Sequence, residues 1–134
     1  MTVELIKQPE GLGPPLGRYS HLGVARGALV AIAGQVGVDA DGQVVGMDLE
    51  SQTRQAYANL GTALRAAGCG YGDIVKMTTF LVGPELIEAF MRVRTAVFAE
   101  IYPDEQYPPN TLLVVGRLVE PELQVEIEAL AVRD

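Results

Sequence analysis

"DLESQTRQAYANLGTALRAAGCGYGDIVKMTTFLV", residues 48–82, changes its hydrophobic period halfway along, and that change decides the fold. Leu49, Thr53, Ala56, Tyr57, Leu60, Ala63, Leu64 and Ala67 recur at the spacing of one helix face. Asp48 is a good N-cap and Gly68 can take a left-handed φ just past the end, so the spacing predicts a helix over 48–67. Residues 74–82, "IVKMTTFLV", are then rich in β-branched side chains and read as a strand.

Working outward, Pro84 opens a second helix, with Glu85 and Glu88 in its first turn where they suit the helix dipole. Its apolar stripe is Leu86, Ile87, Phe90, Val93, Val97 and Ile101. Two strands follow, about 111–119 and 123–132, joined by "VEPE". Upstream, 19–25 and 28–33 read as a hairpin joined at Arg26-Gly27, and "DADG" at 39–42 carries turn chemistry. The order is β-β-β-α-β-α-β-β in a single domain over 1–134. The fold class is α+β, a mixed sheet with both helices on one face. The other sheet face is apolar enough to need cover, so an oligomer is expected.

Composition narrows the function classes. With 134 residues, 49% of them hydrophobic, the chain can bury a core. No apolar run reaches the ~20 residues that cross a bilayer, and "MTVELIKQPEGLG" has no signal-peptide pattern. One cysteine allows no internal disulfide, so a reducing cytoplasm is the expected location. Ten basic against seventeen acidic residues give a net charge of −7, which repels phosphate backbones. Without tryptophan or a Lys/Arg cluster, nucleic acid is a poor candidate partner.

Few residues offer chemistry. Arg94 falls beside the stripe of the second helix, and the spacing favours an edge arginine whose head reaches water. Gln124, Glu126 and Glu128 share one face of the last strand, the two carboxylates roughly 7 Å apart. Like charges at that range raise one pKa, as acid–base work requires, although a solvated strand face is the commoner outcome. Leu130 and Val132 continue that face, turning it from polar to apolar as at a pocket lip. His21 reads as structural or surface, and Cys69 would be a nucleophile only with a nearby base, a weak case in a chain with one histidine. Asp39, Asp41 and Glu50 mimic a calcium loop, but Val44 occupies its glycine position. No metal cluster or phosphate-binding glycine loop is present.

"GRYSH", "AGQVGVDADGQVVG", "QAYANLGTALRAAG", "GDIVKMTTFLV", "YPPNT" and "VEIEALAV" occur in the order found in the reactive intermediate deaminase family (Rid, or YjgF, also called endoribonuclease L-PSP), which the chain resembles over nearly its whole length. That resemblance implies a trimer of chorismate-mutase-like subunits with clefts between neighbours. It also implies hydrolysis of reactive enamines and imines, releasing ammonia and a keto acid without metal or organic cofactor. It carries Tyr19, Gly34, Gln35 and Glu126 onto cleft positions, with Glu126 orienting or deprotonating the attacking water. Asn110 stands where active deaminases place the arginine that grips the substrate carboxylate, Ala33 where they usually have Ser or Thr, and Arg94 where many have Asn. An amide in place of a bidentate guanidinium loses about 1–2 kcal/mol, roughly tenfold in affinity. The expectation is a cytoplasmic homotrimer of a branch lacking that arginine. It would bind a small metabolite between subunits, a carboxylate held by Arg94 being the sharpest form of this. The alternatives are a non-catalytic ligand-binding or regulatory trimer and, disfavoured by charge, a ribonuclease.

Overall fold

The computed structural model describes residues 3–134. Eight regular elements follow in the expected order: β1 Val3–Ile6, β2 Leu22–Ala25, β3 Ala28–Val36, α1 Leu49–Ala66, β4 Ile74–Leu81, α2 Ile87–Ile101, β5 Asn110–Val114 and β6 Val125–Arg133. The first of the three early strands is thus β1. Short 3-10 turns at Tyr71–Asp73 and Pro84–Leu86 lead into β4 and α2, so α2 proper starts three residues after Pro84.

Local chemistry sets the ends of α1. The Asp48 carboxylate accepts the Ser51 N–H at 2.9 Å. At the other end Gly68 takes φ +75°, its N–H donates to the Arg65 carbonyl, and the Cys69 N–H reaches back to Leu64. That is the Schellman arrangement, which satisfies two carbonyls of the last turn.

A four-stranded mixed sheet, ordered β3-β6-β4-β5, carries the fold; β4 and β5 are parallel and the other pairs antiparallel. The parallel pair forces a crossover, and α2 supplies it. Both helices cover one face, burying Ala56, Leu60 and Leu64 of α1 and Phe90, Val97 and Phe98 of α2 against Met77, Leu81, Val125, Ile127 and Ala129. Among the exposed large apolar residues are Leu29, Leu113 and Leu130, which come from β3, β5 and β6.

One pairing and one strand boundary differ from the sequence reading. Residues 19–25 and 28–33 form no hairpin: β2 pairs with β1 in a separate two-stranded sheet, while β3 pairs with β6. At Gly27, with φ +125°, the chain passes against the Arg133 backbone, so the two-residue link moves it between sheets. The strand read at 111–119 ends at Val114, and β6 lies between β3 and β4. Beyond it the Arg117 guanidinium donates to the Leu118 and Val119 carbonyls, satisfying local acceptors outside any ladder. Among the described residues no helix is long and apolar enough to cross a membrane.

Candidate functional site

The candidate residues fall into two groups. Tyr19, Arg94 and Asn110 line one cavity of about 450 Å³ with Gly17, His21 and Lys76. Ala33, Gly34, Gln35 and Glu126 gather where β3 meets β6.

The cavity is built by tying the segment before β2 to the approach of β5. The Ser20 hydroxyl donates to the Tyr107 carbonyl at 2.6 Å, and the Met77 N–H donates to Pro109. Tyr107 stacks on Phe98, ring centroids 5.5 Å apart. Pro108 and Pro109 then fix the backbone direction into Asn110. The Asn110 Oδ1 accepts from the Thr79 hydroxyl at 3.3 Å, while its buried Nδ2 has no partner among the described residues. At the mouth, the Leu16 N–H donates to the Tyr19 hydroxyl, and His21 Nε2 lies 2.8 Å from the Gly13 carbonyl.

Arg94 overturns the edge-arginine reading, for it is only 3% exposed. Phe90 and Phe98, four residues to either side, flank its guanidinium with centroids 5.5 and 5.7 Å from Cζ. Both aromatic faces attract the cation. Its Nη2 donates to the Met91 sulfur at 2.9 Å, and no carboxylate lies within ion-pair distance among the described residues. Burial pulls its pKa down first; the Tyr57 and Tyr19 hydroxyls oppose that and the charge of Arg18 adds to it. Gly17 provides the clearance, since a Cβ there would come 3.1 Å from Nη2. A buried cation normally has an anionic partner, and this one does not. Behind it the fully buried Tyr57 hydroxyl also lacks a partner among the described residues, and burial pushes its pKa far up, so it stays protonated.

The second group sits on a β-bulge. The register passes from Ile32↔Ala129 to Gln35↔Ile127, so Ala33 and Gly34 together oppose Glu128. Two residues against one bend the strand and re-aim its neighbours. The Gln35 amide donates to the Ala33 carbonyl at 3.0 Å and holds the bulge. The Glu126 carboxylate lies against Gly34, where any Cβ would collide with it. Partial burial raises the Glu126 pKa above the usual carboxylate range, and Glu128 raises it further. That is the direction a general base needs.

The two groups lie on opposite faces of the sheet. Asn110 is in register with Met77 and Glu126 with Phe80, and positions of opposite parity on β4 point to opposite sides. Asn110 meets the buried Thr79 on the helix side, whereas Glu126 is on the uncovered side. Sequence reasoning missed Lys76, Met91 and Thr79 as neighbours of the cavity; alternation along β4 does not reveal which residues flank an edge strand's first turn.

A larger groove of about 980 Å³ between β1, β2 and the end of α2 contains none of the candidates. Glu4, Asp73 and Asp104 outnumber Arg26 there, so it would repel a carboxylate.

Comparison with known proteins adds the following. Residues 11–133 match the model of the endoribonuclease L-PSP family. A 2-iminobutanoate/2-iminopropanoate deaminase of Salmonella typhimurium is 33% identical over 132 residues, 98% of this chain and 97% of that one. Among solved structures, the Rid-family protein YyfB of Yersinia pestis, described as of unknown function, superposes with a TM-score of 0.86 at 33% identity, covering 99% of this chain and all of that one. Escherichia coli TdcF with bound serine gives a TM-score of 0.72 at 30% identity, covering 100% of this chain and 99% of that one.

Proposed function

The chain belongs to the endoribonuclease L-PSP family, known equally as Rid, and on that premise we propose that it hydrolyses a carboxylate-bearing imine or enamine in a cleft between subunits of a trimer. The observation that carries the reading is Arg94: a buried guanidinium without an anionic partner, lining the same cavity as Asn110, whose Nδ2 has no partner among the described residues. The guanidinium and the Nδ2 only donate, so what completes them is an acceptor, and a carboxylate fits best. The carboxylate-bearing ligand of TdcF, serine, is of the same kind. Arg94 therefore takes over, from α2, the charge that the family's arginine supplies at the position of Asn110.

The chemistry needs both groups of residues. Water adds to the C=N carbon as Glu126 accepts one of its protons and returns it to nitrogen; the second proton, from the new hydroxyl, follows the same route as the C–N bond breaks, so ammonia leaves as the C=O forms. The net reaction consumes one water and yields one ammonia and one keto acid. Because Glu126 faces away from its own chain's cavity, it acts on the cavity of a neighbour. Two different patches meeting in this way make a heterologous contact, which closes as a ring rather than a two-fold dimer. The exposed Leu29, Leu113 and Leu130 are the apolar surface such a ring would cover.

The test is ammonia release from 2-imino acids by the wild-type protein and by Arg94→Met, with light scattering on both. Three chains per particle and turnover that depends on Arg94 support the reading. A trimer that binds small carboxylates through Arg94 without releasing ammonia would establish the ligand-binding alternative instead. A stable monomer would remove the shared cleft.

A further inference from the structure

What Arg94 touches decides what can change it. Among the described residues its guanidinium makes one side-chain hydrogen bond, from Nη2 to the Met91 sulfur at 2.9 Å, about one turn earlier on α2. A thioether is a weak acceptor, so it orients the head without neutralising its charge. Met91 lines the cavity and is only half-buried, so a molecule small enough to enter meets its side chain. The chain's other sulfur-bearing residues with described surroundings are placed differently. Met77 is fully buried in the core, and Met47 is 64% exposed and lies outside the cavity lining. Cys69 is buried, its thiol directed to the Ala67 and Val132 carbonyls. Among the described residues only Met91 sets a sulfur against the buried cation.

We propose that Met91 is a modification site through which hydrogen peroxide closes the anion pocket: its sulfoxide gives Arg94 an internal oxygen acceptor that competes with the substrate carboxylate. This rests on the reading of the cavity as the carboxylate site and adds a control to it. In the step a sulfur lone pair attacks one oxygen of the peroxide. The S–O bond forms as the O–O bond breaks, and the departing hydroxide takes the proton of the transferred oxygen and leaves as water. Sulfur loses two electrons and the peroxide gains them; a methionine sulfoxide reductase reverses the change. The sulfoxide oxygen is a far stronger acceptor than a thioether, and hydrogen bonds from a charged donor are among the strongest. Three rotatable side-chain bonds let Met91 bring that oxygen to the Nη2 donor its sulfur already faces. An acceptor tethered to the same helix reaches that donor without the loss of translational freedom that a ligand undergoes. The new oxygen also takes space beside a guanidinium that Gly17 approaches closely, a Cβ there coming 3.1 Å from Nη2. The contact with Arg94 engages a sulfur lone pair and slows its attack on peroxide, so the exposed Met47 is converted first.

Calorimetric titration of the intact protein with 2-oxobutanoate, before and after graded treatment with hydrogen peroxide, tests this alongside peptide mass mapping of each methionine. Affinity should hold while Met47 is converted, fall at least tenfold as Met91 gains its oxygen, and return after treatment with a methionine sulfoxide reductase. Met91→Leu keeps Met47, Met77 and Cys69 but cannot form the sulfoxide, so peroxide should not move its affinity from its own untreated value. Met91→Gln presents a carbonyl oxygen where the sulfur stood, and without any peroxide it should bind at least tenfold more weakly than Met91→Leu. Unchanged affinity in protein oxidised at Met91, a Met91 still unoxidised long after Met47 is fully converted, or an equal loss in peroxide-treated Met91→Leu overturns the modification site and leaves the carboxylate reading standing. Absence of heat with 2-oxobutanoate before any peroxide, in a protein that circular dichroism shows to be folded, overturns both.

Discussion

The helix side of the sheet buries a cation without an anion, while the open side presents two carboxylates with only partial cover. On the helix side Arg94 is pinned between Phe90 and Phe98, and its surroundings are set by core packing. On the open side Glu126 is placed by backbone alone, through a bulge and a glycine. The two regions therefore fail in different ways. Loss of packing decides the first, and the backbone path of one strand at its bulge decides the second. Neither is complete chemically: the cavity has donors but no carboxylate, and the bulge has carboxylates but no cationic anchor.

The largest effect should come from the base. Glu126→Gln keeps the shape and removes the proton acceptor, so ammonia release should fall roughly a hundredfold or more while melting stays nearly unchanged. Gly34→Ala should produce a similar loss by pushing the carboxylate off the bulge. Equal melting and equal turnover in both variants would mean that the open side carries no chemistry.

Mixing chains tests whether the two regions work across subunits. Glu126→Gln and Arg94→Met are each expected to be impaired alone. In randomly mixed rings, a cleft regains function when the base comes from one variant and the guanidinium from the other, which happens in about a quarter of clefts. Recovery to that level after co-refolding would join the two regions across an interface. No recovery in confirmed mixed trimers would place them in separate roles.

Arg94 itself should separate function from stability. Arg94→Met should weaken carboxylate binding about tenfold, yet raise the melting temperature by a few degrees, since replacing a buried unpaired charge with an apolar side chain is often stabilising by about 1–3 kcal/mol. Arg94→Asn alone should lose binding likewise. Asn110→Arg added to it returns a guanidinium to the cavity from the stiff "YPP" side and should recover most of that loss, measured as a double-mutant cycle. Melting that drops sharply in Arg94→Met would instead make the arginine structural.

Much of this was legible in the sequence, and unevenly. The helices were readable because Asp48, Gly68 and Pro84 are local signals acting on their own neighbours. Strand pairing was not, because the link at Arg26-Gly27 looks the same whether the chain folds back or changes sheet. Alternation on β6 correctly grouped Glu126 with Glu128, and the resemblance drew attention to Asn110 and Arg94. Burial of Arg94 was hidden by the general rule that helical arginines reach water, which two flanking phenylalanines override here. The bulge was hidden as well, since an extra residue in one strand is defined only by its partner.

The smallest effect, in pH, bears on the open side alone. Burial and Glu128 raise the Glu126 pKa in the folded protein above its unfolded value. The folded state thus binds this proton more readily than the unfolded chain does. The stability it contributes is fully present below the ordinary carboxylate pKa and is lost as pH rises through the raised one. Activity should run the other way, because only the ionised form accepts a proton from water, so turnover falls as pH drops through the same raised value. Glu128→Gln removes the like charge and should move that inflection of the pH–rate profile to lower pH, leaving its plateau unchanged. Burial, the larger cause, remains in that variant, so the inflection should not return all the way to an ordinary carboxylate value. An inflection that ignores Glu128 entirely would assign it to a group other than Glu126, and the base on the open side would have to be sought again.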